Sequence, residues 1–148
     1  MESALLTTHS LLRWVFLILG FAAIILAFSG WFGNRGYNKS DQKAGMFFVL
    51  TAHLQLIIGL VLYVMKGWYS GMSSMSDPIV RFWAVEHFVG MLLAIVLITI
   101  GRARGKRKAT DKAKHKTFAV YYLIGIIIVI AMIPWPMKEG VGRALLPF

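Results

Sequence analysis

Apolar residues fall in four long runs, separated by short polar stretches. The runs cover about 11–32, 44–65, 79–101 and 117–133. Each is long enough to cross about 30 Å of hydrocarbon as a helix. None shows the period-two alternation of outer-membrane strands; YYLIGIIIVIAMI, for example, is continuous. The separators are short, so consecutive helices should lie antiparallel. The pattern predicts an all-α polytopic membrane protein: one transmembrane domain over 1–148, folded as an up-down-up-down four-helix bundle. Thr7, Thr8 or Ser10 can cap the first helix. Pro134-Trp135-Pro136 should end the last one.

Composition agrees with the pattern. Hydrophobic residues make up 58% of the chain, above the 45–50% usual in soluble domains. Mean hydropathy is +0.69. Cysteine is absent, which removes disulfides and thiolate metal sites. The N-terminus begins acidic, with no basic segment before the apolar run, so the first span is expected to stay in the mature protein.

The net charge of +10 does not imply a nucleic-acid partner, because the charges sit in loops beside apolar spans. Arg35, Lys39 and Lys43 lie after span one, and Arg102, Arg104, Lys106, Arg107, Lys108, Lys112, Lys114 and Lys116 after span three. Against those eleven, the other side carries Lys66, Arg81, Lys138 and Arg143. The positive-inside rule then puts loops 33–43 and 102–116 in the cytoplasm and both termini outside. Trp68, Trp83 and Trp135 gather at the outer interface, with Trp31 at the inner one. In a bacterium the outer side would be the periplasm. The expected partners are the lipid bilayer and either other membrane-complex subunits or further copies of the chain.

Ionisable residues inside such spans are costly and tend to mark function. At about 1.5 Å per residue, His9 lies at the outer rim, His87 within the outer half and His53 near the middle. His115 reads as a solvated residue of the basic loop. His9 and Arg13 are four apart and share a helix face, which continues through Phe16, Gly20, Ala23 and Ala27. The His87 face carries Trp83, Ala84, Gly90, Met91 and Ala94, and its small residues allow close packing or leave space for a flat ligand. Glu86 needs a partner at its depth, and Arg13 is the expected one.

A b-type haem needs two axial imidazoles from facing helices, an apolar slot and a cation near its propionates. His87 with His53, or His87 with His9, meets the first need, and Arg13 the last. A zinc or copper site from His9, His53 and His87 is a second candidate. A quinone beside a His or Arg donor is a third. The plain reading is that these histidines, with Thr51 and Gln55, bond to neighbouring helices and backbone. No G-x-x-x-x-G-K-[ST], H-E-x-x-H or G-x-S-x-G motif occurs, so no catalytic residue is assigned.

These residues carry a resemblance. HSLLRW at 9–14, AHLQLIIGLVLY at 52–63, RFWAVEHFVGMLLAIVLITIGR at 81–102, KAKHKT at 112–117 and IPWP at 133–136 resemble a family of small bacterial inner-membrane proteins labelled "cytochrome b". The resemblance covers nearly the whole chain and implies haem ligation by membrane histidines. The chain is more distantly similar to the four-helix units of haem A synthase and of b561-type cytochromes, which ligate haem with histidines on facing helices. It departs from the two-haem b561 pattern, because the two stacked histidine pairs are missing. The expectation is a b-type cytochrome or haem-binding electron-transfer subunit. The competing expectations are a cofactor-free accessory subunit and a small ion- or metal-handling protein.

Overall fold

The computed structural model describes residues 1–147. Four helices dominate: α1 Glu2–Phe32, α2 Lys39–Met65, α3 Pro78–Lys106 and α4 Asp111–Met132. All four are long and apolar enough to cross a membrane. A short 3₁₀ helix, Trp68–Ser74, bridges α2 and α3, and no strand occurs among the described residues. The chain is a multi-pass membrane protein with the predicted spans, but α1 starts at Glu2, so Thr7, Thr8 and Ser10 lie inside it and do not cap it.

The turns follow from their residues. Asn34 takes a left-handed conformation at φ 48°, which Asn tolerates better than most side chains. Asn38 caps α2 by accepting from the Ser40 and Asp41 amides, while Asp41 accepts from the Asn38 amide in a capping box. Arg35 closes the same turn with two bonds to Asp41, at 2.6 and 2.8 Å. Asp77 caps α3, with Pro78 as its first residue, where a missing N–H costs nothing. Thr110 caps α4.

Side-chain contacts fix the order of helices around the bundle. Gln55 donates to the His9 carbonyl, and Phe16 stacks on Phe48 at 5.1 Å, so α1 and α2 run antiparallel. Tyr63 donates to the Ala84 carbonyl and stacks on Phe88, while Thr99 lies opposite His53, so α2 and α3 are antiparallel too. Glycines let α3 and α4 approach: Gly101 faces Tyr121, Gly105 faces Phe118 and Gly125 faces Ile98. Gly20 against Ile126, and Gly30 against His115, close the ring between α1 and α4. Small residues at helix contacts are the usual means of close packing in membranes. In this ring α1 and α3 face each other across a diagonal.

Phe48, Ile98, Tyr122, Ile126 and Ile133 are fully buried at the centre. Ile18, Ile25, Ile57, Val64, Val89 and Ile127 point outward, each more than half exposed. A continuous apolar exterior of this kind suits lipid and not water.

The basic segment after span three departs from the expectation of a loop. Helix α3 runs on to Lys106 and α4 starts at Asp111, so most of 102–116 is helical. Lys and Arg are good helix formers, and long cationic side chains reach the polar region from a helix end. His115 is accordingly not a solvated loop residue. It is completely buried, between α1 and Tyr37.

Candidate functional site

One cleft opens among the helices toward the end that carries both termini. Its volume is about 140 Å³. Phe16, Leu56, Phe88, Met91, Ile95 and Val129 give it apolar walls. Toward the helix ends it is lined by Lys66, Trp68, Trp83 and Arg143. His9 from α1 and His87 from α3 both face this space. The diagonal helices thus bring two of the predicted histidines to one cavity.

A backbone irregularity sets His87. Residues Phe82–Glu86 form a π turn inside α3, directly before His87. Such turns amount to a one-residue insertion and often occur at functional sites. The turn bonds residues five apart, which also brings Arg81 and Glu86 together at 2.8 Å. The predicted Arg13–Glu86 pair therefore does not form. Glu86 is nearly half exposed, and regular α-helical spacing would not have shown its partner.

His87 Nδ1 lies 2.9 Å from the Met132 carbonyl and must donate to it, because a carbonyl only accepts. That bond leaves Nε2 as the nitrogen free for the cleft. It matches the way metal-binding histidines are oriented, with the second nitrogen held by a carbonyl or carboxylate. His9 Nδ1 is buried without a partner, and no protein group bonds its Nε2 among the described residues. An intrahelical or interhelical bond satisfies neither cleft-facing nitrogen.

His53 is different. Its Nδ1 donates to the Val49 carbonyl at 2.8 Å, and its Nε2 lies 3.5 Å from Thr99 Oγ1. It does not line the cleft. The three imidazoles of the zinc or copper expectation therefore do not converge, and no cluster of three His, Cys, Asp or Glu suited to a metal ion occurs among the described residues. Thr51 bonds back to the Phe47 and Phe48 carbonyls, and Gln55 bonds across to α1, as the plain reading expected.

Arg13 is buried at 8% exposure and lines the cleft. Its Nη2 donates to the Leu145 carbonyl at 2.7 Å, and its Nε has no partner. The chain holds six acidic residues. Glu2, Asp41, Glu86 and Asp111 pair with Lys66, Arg35, Arg81 and Lys114. Asp77 caps α3, and Glu139 is exposed. Among the described residues, no side-chain carboxylate pairs with Arg13. A buried cation without a counter-charge is expensive, and an anionic ligand group would relieve it.

Arg143 is a cleft residue that pattern reading missed. It lies over the Trp83 ring at 5.0 Å and comes from the tail after α4, which folds back through the Arg143 amide to the Pro134 carbonyl. The tail bears no periodic signal that could have placed it. The cleft thus combines apolar walls with two imidazoles and two arginines. Comparison of the chain with protein-family models, with curated proteins and with solved structures gives no match.

Proposed function

We propose that this chain is a b-type haem protein of the bacterial inner membrane, with His9 and His87 as the axial pair and Arg13 and Arg143 toward the propionates. The observation that carries the reading is the cleft itself. Two imidazoles from diagonal helices enter one apolar space beside a buried arginine with no side-chain carboxylate partner among the described residues. These residues fit the group. The donors are a pair of nitrogens not used in packing, the walls are apolar, and the cations lie toward one end. The family resemblance read from the sequence points the same way.

Each residue has a separate task. The Met132 carbonyl fixes the His87 ring and raises its basicity as a ligand. Arg13 supplies charge to a carboxylate where water is scarce, so the interaction is stronger than at a surface. Phe88, Met91 and Ile95 keep the space dry. Bound there, haem would supply a one-electron couple, tuned by its axial ligands and the surrounding charge. The chain is almost all helix and short turn, so we read it as an electron-carrying subunit that works between a quinol pool and a partner. The excess of basic residues at the α1–α2 and α3–α4 turns supports an orientation with both termini outside.

The test is a visible spectrum of the full chain purified in detergent and supplied with hemin. A reducible Soret and α-band pattern is expected, lost in His87→Ala and in His9→Ala and kept in His53→Ala. A featureless spectrum in the parent chain would reject the proposal and favour a cofactor-free accessory subunit.

A further inference from the structure

We infer that the opposite end of the bundle holds a second, separate site, which binds one water molecule between His115, Tyr122 and Asp41. His115 is completely buried, and neither of its ring nitrogens has a hydrogen-bond partner. Tyr122 is seven residues further along α4, on the same face. It is 2% exposed, and its hydroxyl, which lies over Gly45 near the Arg102 guanidinium, has no well-formed hydrogen bond. Both side chains border a void of about 10 Å³ that Asp41 also lines. One water needs about 10–15 Å³ on this measure, together with two to four polar partners.

The lone pairs can be counted. Asp41 Oδ2 accepts from Arg35 Nη1 at 2.8 Å and from the Asn38 amide at 2.9 Å. Oδ1 accepts only from Arg35 Nη2, so it keeps a free acceptor site. A water can donate to that oxygen while accepting from the Tyr122 hydroxyl and from one His115 N–H. That makes three bonds, the usual number for a buried water. The other His115 nitrogen then carries no proton and faces the Tyr37 ring, whose centre is 5.6 Å away. A bare nitrogen is the cheaper group to leave unpaired, and one tautomer follows.

Charge and size exclude other occupants. A cation would meet Arg35, already bound to Asp41, and Arg102, whose Nη1 reaches Tyr37. An anion would meet the Asp41 carboxylate. A larger neutral molecule does not fit. The imidazole cannot retreat toward α1, because it lies so close to Gly30 that not even a Cβ fits between them. The water thus ties α4 to the start of α2, beside the bond from the Tyr37 amide to Asp111.

NMR of the full chain in micelles, with labelled histidine, reads the site directly. His115 should show one neutral tautomer and cross-relaxation from its ring to a long-lived water, weakened in Tyr122→Phe. Tyr122→Phe and His115→Phe should each lower the Tm. The double variant should lose less than the sum, because an apolar void of this size stays dry. A His115 ring with no water cross-relaxation overturns the inference, as does a direct contact between the Tyr122 hydroxyl and His115 in place of water. If His115→Phe does not fold, the parent chain and Tyr122→Phe decide the question.

Discussion

Arg13 and Leu145 are 132 residues apart, yet the Arg13 guanidinium donates to the Leu145 carbonyl at 2.7 Å. Trp14 donates to the same oxygen at 2.8 Å. A tail carbonyl is a neutral partner for a buried cation. It satisfies one N–H group and adds no opposing charge. Arg13→Leu should therefore hold or raise the Tm of the ligand-free chain, since Leu145 keeps its bond from Trp14. Its effect should fall on haem affinity, where one charge-assisted bond is worth about 1.5–3 kcal/mol, or roughly tenfold to a hundredfold in Kd. Titration with hemin and with its dimethyl ester checks this. The ester lacks the carboxylates, so it should bind parent and variant alike.

His53 and His87 should separate by kind of effect. His53→Ala removes a bond to Val49 within α2 and should cost about 1 kcal/mol of stability while leaving the haem spectrum in place. His87→Ala should remove the spectrum. Equal spectral loss in both variants would return His53 to the ligand set.

The π turn of α3 should be needed for the cleft. Deleting Val85 restores ordinary helical register and turns the preceding segment by about 100° relative to His87. Trp83 should leave the cleft and the Arg81–Glu86 pair should break. Circular dichroism should keep its helical signal while hemin affinity falls. Undiminished affinity would show that the turn has no bearing on the site.

Packing between α3 and α4 should be intolerant at Gly125. A Cβ there would lie 2.5 Å from Ile98 Cγ1 and 2.9 Å from its Cδ1. Gly125→Ala should cost about 1–3 kcal/mol through overpacking, read as a fall in Tm. Ile98→Val removes only the Cδ1 contact and keeps the nearer Cγ1, so it should recover little of that loss.

At the α1–α2 turn, Asp41→Asn removes the bidentate partner of Arg35 and half of a capping box. Breaking a fully buried pair costs 3–5 kcal/mol, but Arg35 is about one-third exposed and can rehydrate. About 2 kcal/mol is the expected loss. Hydrogen bonding to Asp41 raises the Arg35 pKa above its ordinary value. A cation with a raised folded-state pKa gives stability that is complete below its unfolded value and lost only as pH rises through the folded one. The Arg35 contribution should therefore stay constant from neutral pH up to strongly alkaline conditions, which a Tm series against pH can check.

The four spans were legible because lipid leaves a backbone no alternative. Every N–H and C=O must be paired within the segment, so a long apolar run can only be a helix, and short connections between such runs force antiparallel order. The candidates His9, His87 and Arg13 were legible for a related reason, since ionisable groups in apolar runs stand out. Their grouping was not. Whether His9 or His53 shares a space with His87 depends on how far each helix is rotated about its own axis, and a π turn alters that rotation without a clear mark in the sequence. His115 looked solvated among lysines, yet Gly30 on another helix opens room for it in the core. Arg13 found a tail carbonyl and not Glu86, because the tail is irregular and its path follows packing against α1 and α3. The chain by itself determined how many times it crosses a membrane and which polar groups it carries inside. Only the assembled bundle decided which of those groups meet, because rotation, bulges and tail placement come from contacts between helices and not from the periodicity of any one of them.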